Sequence, residues 1–375
     1  MEKTFFESGK KVDCNGCGIC AIKCPQKAIS MIEDSEGFLY PSINKKKCSN
    51  CGLCKRVCSN RTLKNKNEIK VYIAKNKNNS QRKKSTSGGM FILIASEIIK
   101  KDGIVFGVKF DDNLMAVHDY ATTIEGCEKF SSSKYIRSDM NNAYNKVEQF
   151  LSKGKYVLFT GTPCQCYALK KYLNKEYERL ITCEIVCHSN PSPKIFKMFI
   201  SNLEKKYNKK IIDFKFRNKE KCNKPYAITS DGRKIINEIY NTAFGNMLIS
   251  RPSCSKCEFC DLNRKADITI GDFWGAKQMF PEIYDESGIS LICINSENGR
   301  KIFEKISKNI TYSEVNINDA FKFNHNSNMD EHSNKRKFFE MIEDGKINEK
   351  NIIKYMNKFT KRGIVLKIKN KLFKH

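Results

Sequence analysis

The sequence predicts two unlike folded parts, a small α+β domain at the N-terminus and a larger α/β domain after it, followed by a basic helical tail. A duplicated run of four cysteines near the start marks the first part, and strand-like and helix-like segments alternate beyond it. The last fifty residues are polar and rich in lysine. The expected boundaries are 1–70 for the first domain, 71–86 for a linker, 87–325 for the α/β domain and 326–375 for the tail.

Length and hydrophobic content allow a substantial core. The chain has 375 residues, of which 40% are hydrophobic, enough for about two or three domains. No stretch approaches the roughly 18 consecutive apolar residues of a membrane-spanning helix. The start, MEKTFFESGKKVDC, lacks the apolar segment of a signal peptide. These features predict a cytoplasmic protein without a transmembrane segment.

The chain is strongly basic, with 68 Lys and Arg against 41 Asp and Glu, a formal charge of +27. Clustered cations often bind nucleic acid through its phosphates. Here the lysines are spread along the chain, and no helix-turn-helix, zinc-finger or RNA-recognition pattern accompanies them. We therefore expect most of these charges to lie on solvated surface, with no specific nucleic-acid partner.

Eighteen cysteines indicate metal or redox chemistry in a reducing compartment. Eight of them form an internal repeat, CNGCGICAIKCP and CSNCGLCKRVCS. The repeat comprises Cys14, Cys17, Cys20, Cys24, Cys48, Cys51, Cys54 and Cys58. Spacings of two, two and three are typical of bacterial ferredoxins, in which the fourth cysteine of each run binds the other 4Fe-4S cluster. The repeat therefore predicts a ferredoxin-like domain with two 4Fe-4S clusters.

The same rule assigns each cluster its ligands. Cluster one takes Cys14, Cys17, Cys20 and Cys58, and cluster two takes Cys48, Cys51, Cys54 and Cys24. Gly16, Gly18 and Gly52 lie where the backbone bends tightly, and their amides can donate to sulfur. Zinc is the alternative, since it also binds CxxC pairs, but two identical runs without histidine favour cubanes. The second run departs from the motif because Ser59 replaces the proline that Pro25 supplies in the first.

Beyond the linker the patterns alternate between strand and helix. Ser87 is expected to cap a helix through MFILIASEIIKK, and GIVFGVKF, YVLFT, TCEIV, IIDFKF, ADITIGDF and SLICIN have the composition of strands. Helices are expected over GTPCQCYALKKYL, residues 191–207 and GRKIFEKISKN. The basic stretch IVLKIKNKLFKH near the C-terminus predicts a docking or membrane-surface helix, or one that covers the domain's own core.

Several short motifs in this region resemble one known family when taken together. They are STSGGMF from Ser85, KYIRS from Lys134, GTPCQ from Gly161, CHSNPSP from Cys187, FRNK from Phe216, RPSCSKC from Arg251 and DITIGDFWG from Asp267. In this order they resemble the coenzyme F(420) hydrogenase/dehydrogenase beta-subunit family, over about residues 1–280. The resemblance implies an α/β domain that binds FAD, a further 4Fe-4S cluster beside the flavin, and hydride exchange with a deazaflavin coenzyme.

The resemblance also implies the cofactor-binding residues. They are Ser85, Ser87, Gly88, Gly89, Lys134, Tyr135, Ser138, Gly161, Thr162, Pro163, Gly271, Asp272 and Trp274. The residues support this chemistry on their own terms, because a small-residue turn before an apolar helix offers backbone amides to a diphosphate. The cations of Lys134, Arg137, Arg217 and Lys219 could bind phosphate or an anionic substrate, although each taken alone is typical of a surface residue.

A third cluster requires four thiolates. Cys254 and Cys257 form a CxxC pair, and the family motifs add Cys164 and Cys187. Cys260 remains a competing fourth ligand because it lies three positions after Cys257. The other cysteines are expected to be incidental or buried thiols: Cys127, Cys166, Cys183, Cys222 and Cys293.

His188 is the candidate catalytic residue, since a histidine beside a ligand cysteine near a flavin can deliver a proton. A plain hydrogen bond to a turn is the alternative role. The sequence departs from the family at Ser189 and Asn190, which follow His188 where a glycine is usual, and at Ser132. These departures could alter the pocket for the flavin or its partner.

The sequence therefore predicts an iron–sulfur flavoprotein oxidoreductase that passes electrons between its clusters and FAD, to or from a hydride-accepting coenzyme such as a deazaflavin, or another substrate. A ferredoxin or other redox protein is the expected partner. One alternative is an electron-input subunit of a larger hydrogenase, dehydrogenase or biosynthetic reductase complex. Another is a non-catalytic basic binding protein with structural clusters.

Overall fold

The N-terminal domain is built from short helices around one hairpin. The computed structural model describes residues 4–58, 68–217, 219, 224–324, 327–346, 348 and 351–359. The first elements are α1 Phe5–Ser8, α2 Ile19–Ile22, β1 Ile29–Glu33, β2 Leu39–Ile43 and α3 Leu53–Val57. Gly18 and Gly52 begin α2 and α3 with φ of 78° and 71°, a conformation in which a β-carbon is disfavoured. The duplicated glycine thus turns the chain into each helix at the same place in each cysteine run.

The second domain contains an eight-stranded mixed sheet. The strands, numbered in chain order, are β3 Lys70–Asn76, β4 Ile104–Phe110, β5 Ala116–Ala121, β6 Val157–Gly161, β7 Leu180–Ile185, β8 Ile211–Lys215, β9 Tyr226–Thr229, β10 Lys234–Ile236, β11 Ile268–Asp272, β12 Ser290–Ile294 and β13 Ile310–Glu314. The order in the large sheet is β13-β3-β12-β11-β7-β6-β4-β5. Its centre, β11, β7, β6 and β4, is parallel, and the flanking strands are antiparallel. β8, β9 and β10 form a separate three-stranded sheet.

Helices cover both faces of the large sheet. They are α4 Asn79–Lys84, α5 Met90–Ile99, α6 Ile124–Glu128, α7 Ala143–Ser152, α8 Pro163–Leu173, α9 Pro193–Tyr207, α10 Ile239–Gly245, α11 Ala276–Met279, α12 Glu297–Ser307, α13 Ile317–Phe321, α14 Lys335–Glu343 and α15 Ile352–Phe359. α5 and α12 pack on one face, and α7 and α8 pack on the other. Because both faces are buried, the central strands are apolar runs such as Val157–Phe159.

The predicted linker over 71–86 is wrong for most of its length. Strand β3 pairs with both β12 and β13 inside the large sheet, and α4 follows it with Asn78 as its side-chain cap. Val71, Ile73 and Ala74 are each at most 2% exposed. This apolar run is short and abuts a lysine- and asparagine-rich stretch, so the polar composition masks the strand. Strand β3 therefore ties the start of the second domain to its far edge.

Two other expectations need correction. Gly89, not Ser87, is the N-cap of α5, with φ of 83°, because the chain must enter this helix through a left-handed turn. The IIDFKF strand lies in the small sheet rather than in the large one. The remaining expected strands and helices of the α/β series form where the sequence places them.

The described part of the tail packs against the second domain. Phe338, Phe339, Ile352, Met356 and Phe359 of α14 and α15 are at most 5% exposed and join the core built by α9, α10 and the small sheet. This segment covers the protein's own core. The basic stretch 364–375 lies outside the described residues. Within the described ranges, no helix combines the length and the apolarity that crossing a membrane requires.

Candidate functional site

The four sulfurs assigned to cluster one are neighbours. Burial, followed by the charges of Cys17, Cys14 and Cys58, raises the pKa of Cys20, so these groups act on one another at short range. The Gly16 amide donates to the Cys14 sulfur over 3.4 Å. Cys58 reaches the first run because it lies directly after α3. The chain therefore brings together the set that the ferredoxin rule selects.

The second run lies nearer to solvent. Burial, and then the charges of Cys48 and Cys51, raises the pKa of Cys54, and the Cys51 side chain is exposed. The Cys24 sulfur accepts a hydrogen bond from the Ala28 amide over 3.3 Å. The second run therefore presents a thiol at the protein surface.

A third set of four cysteines lies in the second domain. Cys164 lies in the first turn of α8, Cys187 follows β7, and Cys254 and Cys257 lie in and after the short 3₁₀ helix Pro252–Lys256. Burial, and then the charges of Cys164 and Cys254, raises the pKa of Cys187. The pKa of Cys257 is raised chiefly by its hydrogen bond with Cys260, and further by burial and by the charges of Cys164 and Cys254. Four sulfurs from three separate segments thus meet.

Asn190 lies at the centre of this third set. Its amide N–H donates to the Cys254 sulfur over 3.2 Å, and its side-chain Nδ2 lies 3.8 Å from the Cys164 sulfur. The Thr162 hydroxyl is 3.2 Å from the same Cys164 sulfur. Hydrogen bonds to thiolates orient them and favour their charged form. The sequence marks Asn190 only as a departure from the family, whereas its position gives it a direct role in holding two sulfurs.

Cys260 lies beside the third set without being central to it. Its sulfur contacts the Cys257 carbonyl at 3.0 Å and the Asn328 side-chain oxygen at 3.2 Å. Of the cysteines expected to be incidental, Cys127, Cys166, Cys183 and Cys293 are fully buried in the core, and Cys222 lies outside the described residues. No three His, Cys, Asp or Glu side chains of the described ranges converge on one point, as ligands of a single ion would. In a cubane each thiolate binds a different iron.

Cluster one and the third set approach each other across the domain boundary. Burial comes first among the causes that raise the pKa of Cys17 to about 11, and the charges of Cys14 and Cys164 add to it. Cys17 belongs to the N-terminal domain and Cys164 to α8. Cys17 and Cys164 are therefore close enough for their charges to interact.

A cavity of about 490 Å³ opens beside the third set. Its walls include Gly161 after β6, Cys187 after β7 and Gly271 at the end of β11, so it lies outside the carboxyl ends of the parallel strands, where open α/β sheets bind ligands. The volume is within the range of cofactor sites. Cys187 lines this cavity while also belonging to the third set.

Most of the predicted cofactor-binding residues line this one cavity. They are Ser85, Ser87, Gly89, Lys134, Tyr135, Ser138, Gly161, Thr162, Asp272, Gly271 and Trp274. His188 lines it as well. Gly88 and Pro163 lie behind the lining, Gly88 next to β12 and Pro163 as the buried first residue of α8. The structure thus gathers residues that are far apart in the sequence into one wall.

The small-residue turn before α5 is tightly packed. A β-carbon on Gly88 would lie 2.6 Å from the Ala74 carbonyl oxygen and 2.7 Å from the Ser290 nitrogen. The Gly88 amide donates to the Ser290 hydroxyl over 2.9 Å, so it is not free for a ligand as the sequence suggests. The Ser87 hydroxyl donates to the Ile289 carbonyl over 2.7 Å. The turn therefore brings backbone close to the cavity, but not all of its amide N–H groups are available to bind a ligand.

The four candidate cations have different environments. Arg217 lines the cavity, pairs with Asp272 at 2.7 Å and lies 4.7 Å from the centre of the Trp274 ring. Lys134 also lines the cavity, and burial lowers its pKa to about 7. Lys219 donates to the carbonyls of Arg82 and Ser87 over 2.7 Å each, and burial lowers its pKa to about 8.

The fourth cation, Arg137, turns away to the N-terminal domain, where its Nη2 donates to the Gly16 carbonyl over 2.8 Å. Of the four candidates, Arg217 is therefore the one whose charge faces the cavity, because the Lys134 amine donates to the carbonyls of Lys129 and Ser132 over 3.0 and 3.1 Å. Lys219 instead holds the turn before α5.

His188 is placed between the cavity and α10. Its ring meets the Phe244 ring edge-on with centroids 4.9 Å apart. Burial lowers its pKa, opposed by hydrogen bonds to the backbone of Phe244 and Gly245. The imidazole is therefore neutral at pH 7 and anchored to a turn. It faces the cavity as a polar group whose proton is held by the backbone.

A hydrogen-bonded chain behind the cavity has no motif in the sequence. His118 is 1% exposed, burial lowers its pKa to about 4, and its Nε2 lies 3.1 Å from the Thr160 carbonyl. A carbonyl only accepts, so Nε2 carries the proton and Nδ1 accepts from the Ser138 hydroxyl at 3.0 Å. The Gln165 amide donates to the same hydroxyl over 2.9 Å. The Ser138 hydroxyl oxygen is thus an acceptor on the cavity wall. In the sequence, the inward position of His118 on β5 is the one signal that could have indicated this role.

Comparison with known proteins identifies both halves of this arrangement. Residues 154–320 match the family described as the C terminus of the coenzyme F(420) hydrogenase/dehydrogenase beta subunit, and residues 13–61 match a 4Fe-4S dicluster domain. Over residues 154–320 the chain is therefore similar to the coenzyme F(420) hydrogenase/dehydrogenase beta-subunit family. The resemblance seen in the motifs is therefore confirmed, and the chain is an iron–sulfur redox protein related to that beta subunit.

One solved structure gives a further likeness. It is the F(420)-reducing NiFe hydrogenase complex from Methanosarcina barkeri after xenon derivatization; the matched chain is 18% identical, with a TM-score of 0.46, covering 77% of this chain and 90% of that one. No curated protein matches the chain. The coenzyme F(420) beta-subunit match spans all four cysteines of the third set, and the turn before α5 lies ahead of it.

Proposed function

We propose that this beta-subunit relative is an iron–sulfur flavoprotein oxidoreductase in which FAD binds in the cavity and a third 4Fe-4S cluster binds to Cys164, Cys187, Cys254 and Cys257. The observation that carries this proposal is the double position of Cys187, which belongs to the third set and to the cavity wall. A cluster held there would lie next to the ligand. The N-terminal dicluster domain then supplies electrons through Cys17 and Cys164.

The donor set of the cavity fits the proposed cofactor. A bound flavin would exchange two electrons as a hydride with a coenzyme and single electrons with a cluster. Arg217 places a cationic group on the wall, which favours a diphosphate. Ser138 offers an acceptor oxygen to an N–H group of a planar ring. Asp272 orients Arg217 through its ion pair.

The mouth of the cavity suits a planar coenzyme. Trp274 and Phe323 line it with side chains 45% and 47% exposed. Exposed aromatic faces favour stacking of flat rings. A hydride-carrying coenzyme, a deazaflavin among the candidates, would enter here and stack over these two rings.

A turnover assay with the isolated chain tests this function. Reduced ferredoxin is offered under anaerobic conditions with candidate two-electron acceptors, including the deazaflavin, and acceptor reduction is followed by absorbance. We expect one acceptor reduced for every two electrons supplied, and loss of that activity when flavin is removed. A chain that binds no flavin after reconstitution would refute the enzymatic function.

The family description names a beta subunit, which supports a second candidate: an electron-input subunit of a larger complex. The isolated chain would then hold the same cofactors without turning over free acceptors. Turnover that appears only after a partner subunit is added distinguishes this candidate from a complete enzyme.

The exposed second run is the expected entry for electrons in either case. Lys45, Lys46, Lys47, Lys55 and Arg56 are all exposed close in sequence to the exposed Cys51. Basic rims attract acidic partners and accelerate their association, an effect that salt screens. This surface therefore fits a small acidic redox protein.

Charge reversal tests this surface. Changing Lys45, Lys46 and Lys47 together to Glu should lower the association rate with an acidic ferredoxin by about tenfold at low salt, and the difference should shrink as salt is added. The matched control changes Lys301, Lys305 and Lys308 on and after α12, which are also exposed. Stopped-flow reduction of the chain measures both. Equal slowing in the two triple variants would show a general charge effect instead of a docking site.

A further inference from the structure

Arg251 is a buried cation that links the two domains. It is 1% exposed, and its Nε donates to the Cys14 carbonyl over 2.7 Å while Nη2 donates to the Leu39 carbonyl over 2.9 Å. Its guanidinium lies 4.2 Å from the centre of the Tyr40 ring. Three positions further along the chain, Cys254 belongs to the third set. One residue thus connects the backbone of cluster one to the loop of the third set.

Glycine makes room for this contact. Gly16 has φ of 66°, and a β-carbon there would lie 2.7 Å from Nη1 of Arg251. Gly16 also gives its carbonyl to Nη2 of Arg137 over 2.8 Å. Both arginines therefore bind the first cysteine loop, Arg251 at the carbonyl of Cys14 and Arg137 at that of Gly16.

Arg137 approaches the third set from the other side. Its backbone N–H donates to the Pro191 carbonyl over 3.3 Å, directly after Asn190, which contacts the Cys254 and Cys164 sulfurs. The Arg251 N–H donates to the Asn190 carbonyl over 2.8 Å, and the Cys254 N–H donates to the Arg251 carbonyl over 3.0 Å. Two cations therefore surround the gap between the two sets.

Neither arginine has an acidic partner among the described residues; both bind backbone carbonyls instead. Arg264 is different, since it lies 3.8 Å from Glu184 in a buried ion pair. A buried charge without a counter-ion is costly. Thiolate-held iron–sulfur centres carry negative charge, so centres at the two sets would supply the missing counter-charge.

We propose that Arg137 and Arg251 are positioning residues that hold cluster one against the third cluster and raise the reduction potentials of both. The inference rests on the proposed function. In the step concerned, one electron leaves cluster one, which is oxidised, and enters the third cluster, which is reduced, and no bond forms or breaks. A fixed positive charge stabilises the more negative, reduced form, so it raises the potential.

The test is an EPR-monitored redox titration of the full chain carrying Arg137→Gln or Arg251→Gln. We expect the potentials of cluster one and the third cluster to fall, with the reduction equilibrium changed by about tenfold, equivalent to about 59 mV for one electron. The potential of cluster two should stay as it is. Arg251→Lys keeps the charge and should restore most of the potential.

Arg56→Gln is the matched control. Arg56 also donates to a ligand cysteine's carbonyl, that of Cys51, over 3.0 Å, but it is exposed. Solvent screens its charge, so its removal should leave all potentials within about a threefold change in equilibrium. If Arg56→Gln lowered a reduction potential as much as Arg251→Gln does, burial of the arginine would not explain the effect on the potentials.

The iron content per chain distinguishes failure of this inference from failure of the proposed function. With about twelve iron and one flavin per chain, unchanged potentials in both Gln variants would overturn this inference and leave the proposed function standing. About eight iron in the unaltered chain would overturn the proposed function and this inference together. If the Gln variants lose iron, the potentials of Arg251→Lys and Arg137→Lys are measured instead. Potentials equal to those of the unaltered chain would support the role of the charge, and lowered potentials would contradict it.

Discussion

Replacement of Cys164 by Ala should remove about four iron per chain and abolish electron transfer from the N-terminal clusters to the flavin. The sulfur lies at the junction of the proposed path, because it interacts with Cys17 across the domain boundary and with Cys187 at the cavity wall. A 4Fe-4S centre is held by four thiolates, and loss of one leaves the centre poorly retained. Iron analysis and stopped-flow flavin bleaching after addition of a one-electron donor measure the two effects.

The same helix provides the control. Cys166 is two positions further along α8, is fully buried, and its sulfur lies 3.7 Å from the Cys183 carbonyl oxygen. Cys166→Ala should keep all iron and lose only about 1 kcal/mol of stability from the small cavity. If both variants kept their iron, the third cluster would have to be assigned elsewhere. Cys254→Ala should behave as Cys164→Ala does.

Replacement of Gly88 by Ala should release the flavin and destabilise the second domain. The added methyl meets two backbone atoms, the Ala74 oxygen and the Ser290 nitrogen, at 2.6 and 2.7 Å. Backbone in the middle of a sheet cannot move aside cheaply, so we expect a loss of about 2–3 kcal/mol in the free energy of unfolding. The shift would push the turn before α5 into the cavity. Thermal unfolding and flavin content per chain measure the outcome.

Gly245 gives the matched comparison. It also lines the cavity, at the end of α10, and a β-carbon there meets no atom within 4 Å. Gly245→Ala should therefore leave stability and flavin content almost unchanged. Full flavin retention in the Gly88 variant would show that the turn before α5 does not shape the cofactor site.

The sequence predicts those parts of the fold whose signal lies in consecutive residues. The cysteine repeat has fixed spacings, and the apolar runs from β4 to β12 follow the periodicity of their elements. Strand β3 escapes prediction because its few apolar residues run directly into a polar stretch. Its neighbours β12 and β13 come far later in the chain, and pairing over such a distance leaves no signal in a single sequence.

The candidate site also contains residues that local spacing predicts and residues that it does not. Cys14 to Cys58 can be assigned from spacing, but Cys164, Cys187 and Cys254 come from separate segments and are grouped only through the family resemblance. In the sequence, Arg251 begins the RPSCSKC motif, but nothing there indicates that it is buried against the N-terminal domain. Its importance depends on the packing of the two domains, which puts its guanidinium against the carbonyl of Cys14.

The most direct test of the account is the cofactor content of the full chain purified without oxygen. Three 4Fe-4S clusters and one flavin predict about twelve iron, about twelve acid-labile sulfides and one FAD per chain. Iron and sulfide assays with chromatographic identification of the released flavin measure all three. About eight iron with no flavin after reconstitution would contradict the account, because it would leave a dicluster domain joined to a cavity that does not hold the proposed cofactor.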